Sequence, residues 1–150
     1  MRAILQRVSE ASVTIESRLF SQIGNGFLIF LGIEENDSKE DIDWLVKKIS
    51  NMRIFGDNEG KMNLSIQDIS GEVLVVSQFT LYASTKKGNR PSFIKSAKSK
   101  IAIPLYEKFI KTIQNQLTNE VKTGVFGADM KVQLINDGPV TIMLDSKDKE

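Results

Sequence analysis

Two stretches of this chain are apolar without interruption, Phe27-Leu-Ile-Phe-Leu31 and Val73-Leu-Val-Val76. A strand with one wet face alternates between apolar and polar residues. These do not, so each reads as a strand buried on both faces and central in its sheet, and we place the two side by side. The second run changes chemistry abruptly at its end, where Ser77, Gln78 and Thr80 bring two hydroxyls and a carboxamide within four residues. A polar cluster held on the end of a central strand suits a site facing a cleft. It equally suits groups that satisfy buried backbone at a strand end.

The remaining pattern supplies the other layers. Arg2 to Val8, Ala11 to Glu16, Arg18 to Ile23, Glu120 to Phe126, Lys131 to Ile135 and Val140 to Leu144 read as strands. Gly24-Asn25-Gly26 reads as a hairpin turn leading into the Phe27 strand, because Asn and Gly tolerate positive φ. Asp37-Ser-Lys-Glu40 resembles a capping box with Asp37 as N-cap. The helix it opens carries Ile42, Leu45, Val46 and Ile49 as a single stripe, with Trp44 packing beside it and Asn51 as its stop. A second helix starts between Ser99 and Pro104, with Leu105, Phe109, Ile113 and Leu117 as its buried row and a Glu107–Lys111 pair. The tail from Asp145 to Glu150 is charged and expected to fray. The sum is a single α+β domain over residues 1–150, a mostly antiparallel, barrel-like sheet with two main helices packed on it.

What is missing narrows the chemistry. The chain has neither histidine nor cysteine, so Ser-His-Asp and Cys-His arrangements are excluded. Zinc loses its usual ligands, so only an all-oxygen metal site is left open, and we expect no metal and no cofactor. A hydrolase built this way uses Asp, Glu, Lys or Tyr as its base, or borrows one from its substrate. Without cysteines or an apolar run of about 18 residues, and with an opening unlike a signal peptide, the expectation is a cytoplasmic protein with no membrane span.

Formal net charge is only +1, so any binding to nucleic acid rests on charge distribution. Between Val73 and Tyr106 there is no acidic residue, while Lys86, Lys87, Arg90, Lys95, Lys98 and Lys100 are all positive. A basic segment directly after a polar strand end reads as a phosphate-contacting rim. Glu34, Glu35, Asp37, Glu40, Asp41 and Asp43 crowd an earlier segment that reads as a solvated face.

Several motifs in order resemble one family. Ser77-Gln-Phe-Thr80 and Asn136-Asp-Gly138-Pro139-Val-Thr141 are similar to the signatures of the D-aminoacyl-tRNA deacylases, which clear D-amino acids from mischarged tRNA. Lys87-Gly-Asn-Arg90-Pro-Ser-Phe93, Gly124-Val-Phe-Gly-Ala-Asp-Met130 and the opening Met1-Arg-Ala-Ile-Leu-Gln-Arg7 resemble further family segments, so the likeness runs end to end. The resemblance implies a hydrolase acting on the carboxylic ester at the 3′ end of D-aminoacyl-tRNA, and on glycyl-tRNA mischarged on tRNA-Ala. It implies catalytic Ser77, Gln78, Phe79 and Thr80, with the ribose hydroxyl beside the ester assisting. From the residues themselves, the Phe79 and Thr80 N–H groups read as oxyanion donors, Ser77 and Gln78 as orienting groups, and Thr80, without a histidine to act as base, as a structural or orienting group and not a nucleophile. The resemblance also implies a homodimer in which a cis Gly138–Pro139 peptide enters the partner's site and rejects L-amino acids. Arg7 and Met130 would support that motif, and Lys86, Lys87 and Arg90 would contact tRNA. On pattern alone Gly138-Pro139 reads as a turn between two strands. Two rivals remain: a small-ester hydrolase using Thr80, and a non-enzymatic RNA-binding module.

Overall fold

The structure, a computed structural model, describes residues 1–149. Its sheet is built on β1 (Arg2–Ile15), one 14-residue strand where the sequence suggested two. β1 pairs antiparallel with β2 (Arg18–Ile23), β3 (Gly26–Gly32) and β8 (Lys131–Asp145). β3 then pairs parallel with β6 (Glu72–Ser77), and β6 parallel with β7 (Lys122–Thr123). The Phe27 and Val73 strands are therefore neighbours, as expected, and the sheet is mixed. Ser21 Oγ donates to the Thr123 carbonyl at 2.8 Å, tying β2 to β7 so that the sheet nearly closes on itself. A small pair, β4 (Phe55–Gly56) and β5 (Met62–Leu64), stands apart.

The reason for the uninterrupted apolar runs is now visible. Alternate residues of β3 and β6 face two different cores. Phe27, Ile29, Leu31, Val73 and Val75 pack with the helices, whereas Leu28, Leu74 and Val76 pack inside the curled sheet with Val8, Val13 and Ile23. Neither face meets water, so neither can be polar.

Two helices cover the outer core. α1 (Lys39–Asn51) buries Ile42, Leu45, Val46 and Ile49, with Trp44 packed alongside. Its capping box is shifted one residue from the expected one: Ser38 is the N-cap and Asp41 reaches back. Asp37 is instead committed to the Met1 ammonium, so the acidic segment is partly internal. Burial would raise the Asp41 carboxyl, yet hydrogen bonds from Lys147, Ser146 and Ser38 hold it well below the usual carboxylate range.

α2 (Ser99–Gln114) starts within the expected window but five residues before Pro104, which sits in its second turn. Its buried row is Ala102, Tyr106, Phe109 and Ile113; Leu105 is only half-buried and Leu117 lies past the helix end. Glu107 and Lys111 are exposed and form no ion pair among the described residues.

Three other expectations are corrected. Gly24-Asn25-Gly26 is no hairpin, because β2 and β3 do not pair. The tight turn is Glu16-Ser17, both with φ in the left-handed region (49° and 63°), joining β1 to β2. Gly26 is required for a different reason: a β-carbon there would overlap the Glu72 backbone where β3 meets β6. The strand proposed over Glu120 to Phe126 shrinks to Lys122–Thr123. The tail does not fray at once, since Ser146 is buried and Lys147 pairs with Asp41 at 2.8 Å. Glu150 lies outside the described residues.

Candidate active site

β6 ends at Ser77 and the chain tightens into a 3-10 turn, Phe79–Tyr82. Gln78 leads into it with extended φ (−142°), and its N–H donates to the Leu31 carbonyl at 2.8 Å. The Phe79 and Thr80 N–H groups thus open the turn, where a helix offers its first donors no internal acceptor. Gln78 Nε2 donates to Thr80 Oγ1 at 2.5 Å. The carboxamide and the hydroxyl are held together, and among the described residues no carboxylate or amine is bonded to Thr80 to act as its base.

Ser77, Gln78 and Phe79 line a cleft of about 310 Å³, whereas Thr80 is not among its lining residues and reaches it only through its bond to Gln78. Its floor is the end of β6, with Val76 and Ser77, and its opposite wall is the segment Phe126–Met130. That wall is anchored to the same strand. Val75 O accepts from Gly124 N at 3.1 Å and from the Tyr106 hydroxyl at 2.8 Å, and the Tyr106 ring meets Phe126 edge-on at 5.7 Å. Asp129 is the only carboxylate among the lining residues; it is 86% exposed and paired with Lys131 at 3.0 Å. It was not singled out from the sequence, although the Gly124–Met130 segment carrying it was. Its position at the cleft mouth depends on a loop closed by Gly127 (φ 78°), which strand pattern does not reveal.

The second motif lies elsewhere. Gly138 and Pro139 line a separate depression of about 470 Å³, shared with Arg7, Phe55 and Met62. They are not a turn between two strands: β8 runs continuously from Lys131 to Asp145, and the motif bulges out of it where the register to β1 shifts around Arg7. The Gly138–Pro139 peptide is cis, and both residues are exposed. Arg7 braces the bulge from beneath, donating to Asp137 O at 3.0 Å and pairing with the Asp137 carboxylate at 3.3 Å. A third Arg7 bond, to Ile54 O at 2.5 Å, anchors it. Asn136 Nδ2 spans the bulge, reaching Arg7 O and Val140 O at 2.9 Å each. Met130 is not beside this motif; it lines the Ser77 cleft, with its sulfur over Gly124, where any β-carbon would strike it.

Lys86, Lys87 and Arg90 occupy an exposed loop pinned by the Ser84–Ser92 bridge, and none pairs with an acid among the described residues. The loop is coupled to the cleft: Phe93 meets Phe79 edge-on at 5.1 Å. No group of acidic residues that could hold a metal ion occurs among the described residues, and no helix is long and apolar enough to cross a membrane.

Residues 4–145 match the family model described as D-Tyr-tRNA(Tyr) deacylase. The chain belongs to that family. It is 63% identical to the D-aminoacyl-tRNA deacylase of Bacteroides thetaiotaomicron and 64% to that of Azobacteroides pseudotrichonymphae, each over all of both chains. Among solved structures, the c-Myc DNA Unwinding Element Binding Protein superposes with a TM-score of 0.92 at 40% identity, covering 97% of this chain and 98% of that one. A probable eukaryotic D-amino acid tRNA deacylase shares the fold, with a TM-score of 0.79 at 17% identity. The two helices packed on a mixed, nearly closed sheet are the deacylase family's α+β architecture.

Proposed function

We propose that this chain hydrolyses the ester bond of D-aminoacyl-tRNA in the cleft lined by Ser77, Gln78 and Phe79, with Thr80 behind Gln78 and with Gly138–Pro139 supplied by a second copy of the chain. The observation that carries this reading is the 3-10 turn itself, which presents two N–H donors at the end of a rigid central strand. Water attacks the carbonyl carbon, and the oxyanion that forms is held by the Phe79 and Thr80 N–H groups. The carbon–oxygen bond to the ribose then breaks, the ribose oxygen takes a proton, and the amino acid leaves as its carboxylate. With no base bonded to Thr80 among the described residues, the ribose hydroxyl next to the ester assists, and Ser77 and Gln78 orient the reactants.

Chirality is read by the partner's Gly138 and Pro139 carbonyls, which accept the substrate ammonium. With ammonium and ester both fixed, the side chain and the hydrogen on the α-carbon exchange places between enantiomers. An L side chain points into backbone, and a D side chain points to solvent. A homodimer with two such crossed sites accounts for a cleft and a motif that sit apart on each chain. Glycine has no β-carbon to reject, so glycyl-tRNA mischarged on tRNA-Ala is a second substrate. Lys86, Lys87 and Arg90 contact phosphates of the 3′ arm. The cytoplasm, where tRNA is charged, is the working compartment.

The test is deacylation of glycyl-, D-alanyl- and L-alanyl-tRNA by one preparation. The first two should be cleaved and the third spared. Sparing of glycyl-tRNA as complete as that of L-alanyl-tRNA would remove steric exclusion as the mechanism. Cleavage of free amino-acid esters equal to that of charged tRNA would favour a small-ester hydrolase. Binding without cleavage would favour a nucleic-acid-binding module, a reading consistent with the name of the 40%-identical relative.

A further inference from the structure

The rim between the cleft and the basic loop is apolar. Phe79 lines the cleft yet is 55% exposed, and Ile94 is 91% exposed. Phe93 links the two: it precedes Ile94 in the chain and meets Phe79 edge-on, with ring planes 73° apart. An edge-on pair does not stack, so flat ring surface stays available to a third planar group.

Ile94 owes its exposure to a turn held at both ends. Ser96 N donates to Phe93 O at 2.9 Å, which puts Ile94 and Lys95 at the corner. Before the turn, Ser84 and Ser92 exchange backbone bonds of 2.8 and 2.9 Å; after it, Ala97 N donates to Ile33 O at 2.9 Å. The segment then returns to the cleft, where Ser96 and Ala97 are lining residues. Ile94 belongs to neither hydrophobic core, so folding does not account for it.

The charge along this segment is of one sign. Lys86, Lys87 and Arg90 precede Phe93, and Lys95, Lys98 and Lys100 follow it. All six are exposed, and none is in an ion pair among the described residues. The acid brought alongside is Glu34, whose backbone bridges Ser96. A single exposed apolar residue needs no explanation. Apolar surface set among unpaired cations, and continuous with a cleft, has a chemical complement in single-stranded nucleic acid, which alternates planar bases with phosphates. A second copy of this chain, at net charge +1, brings no excess of acid to meet those cations.

We propose that Phe79, Phe93 and Ile94 form a binding subsite for the unpaired base next to the aminoacylated nucleotide. A tRNA ends in single-stranded CCA, so with the terminal adenosine at the cleft the base on this shelf is a cytosine. The phosphates beyond it run on to the Lys86–Arg90 loop. Stacking tolerates any base, so the shelf registers that a base is present and positions the ester without choosing among tRNAs. The inference rests on the deacylase reading of the cleft.

The experiment compares two D-alanyl esters, one of the dinucleotide CA and one of the same dinucleotide with its cytosine base removed. The wild-type protein should cleave the intact dinucleotide with kcat/KM about tenfold above the abasic one, the difference lying in KM. In Ile94→Ser protein that gap should close to about twofold, and in Ile94→Phe protein it should be restored. Melting temperatures should match, because nothing in either core is touched. Equal cleavage of the two esters by wild type, or a full gap in Ile94→Ser protein, would overturn the proposal. So would a loss in Ile94→Ser protein that follows the D side chain, D-leucyl against D-alanyl, and not the base. Dissociation of a two-chain particle by Ile94→Ser would assign the shelf to a second copy and overturn it as well. A second arm needs no cleavage: uncharged CCA should bind about tenfold tighter than the trinucleotide lacking its middle base, and less so in Ile94→Ser protein. That difference in a protein that cleaves no ester would sink the deacylase reading and leave the shelf standing; equal binding would sink the shelf.

Discussion

Thr80 is the residue whose role the structure bears on most directly. Its hydroxyl is bonded to a carboxamide, which cannot remove its proton at neutral pH. Thr80→Val should therefore slow deacylation by roughly tenfold, the worth of one orienting hydrogen bond. A nucleophile removed would cost about 10⁴-fold or more, so single-turnover rates of this variant separate the two roles. L-alanyl-tRNA should stay uncleaved by it if, as proposed, the selective surface is Gly138–Pro139. Gly138 makes the complementary case. Its φ is 126°, and an added β-carbon would stand 2.6 Å from Arg7 Nη2 and 3.0 Å from Val140 Cγ2. Gly138→Ala places a side chain in a backbone region costing of order 1–3 kcal/mol and pushes against the brace. Melting should fall by only a few degrees, while D-alanyl-tRNA cleavage drops and the D/L rate ratio narrows. Much of this was legible in Ser77-Gln-Phe-Thr80 and Asn136-Asp-Gly-Pro139 as motifs. The distance between them was not, because motif order along a chain carries no information on which cleft each faces.

At the scale of elements, the basic loop has a measurable signature. Neutralising Lys86, Lys87 and Arg90 together should lower the slope of log affinity against log salt by about 0.7–0.9 for each phosphate left without its cation. Filter binding of tRNA across a salt series reads this directly, and an unchanged slope would return the loop to a solvated face. The central strands were readable because a residue covered on either side has no polar option, which makes Phe27–Leu31 and Val73–Val76 unambiguous. The edges were not. Gly24-Asn25-Gly26 carries turn chemistry, yet Gly26 serves close approach of β3 to Glu72. Glu16-Ser17 makes the real turn without any glycine. The break at Ser9-Glu10 looked like a strand end, but β1 continues through it because β8 pairs along nearly its whole length. Asp37 looked like an N-cap by type, and a tertiary partner 36 residues away claimed it. In each case a long-range contact outweighed local preference.

For the whole molecule, the edge of β8 bears on assembly. β8 pairs only with β1 among the described strands, and it exposes Ile135 and Met143. A long edge of this kind is normally covered in the working assembly. A two-chain particle is expected by sedimentation at assay concentration, and a fully active monomer would remove the crossed site. The same β1–β8 pairing has a further consequence, one that concerns synthesis. Arg2 bonds to Asp145 across 143 positions of sequence. A ribosome adding roughly 5–20 residues per second needs on the order of ten seconds or more to make the second partner after the first. During that interval β1 gains β2 and β3 early but lacks β8 to the end, and α2 can cover the outer core only once residue 114 has been made. The nascent chain therefore spends most of its synthesis with a long unpaired strand edge in reach of its neighbours on the same message, and a holding chaperone has its largest effect before residue 145 emerges.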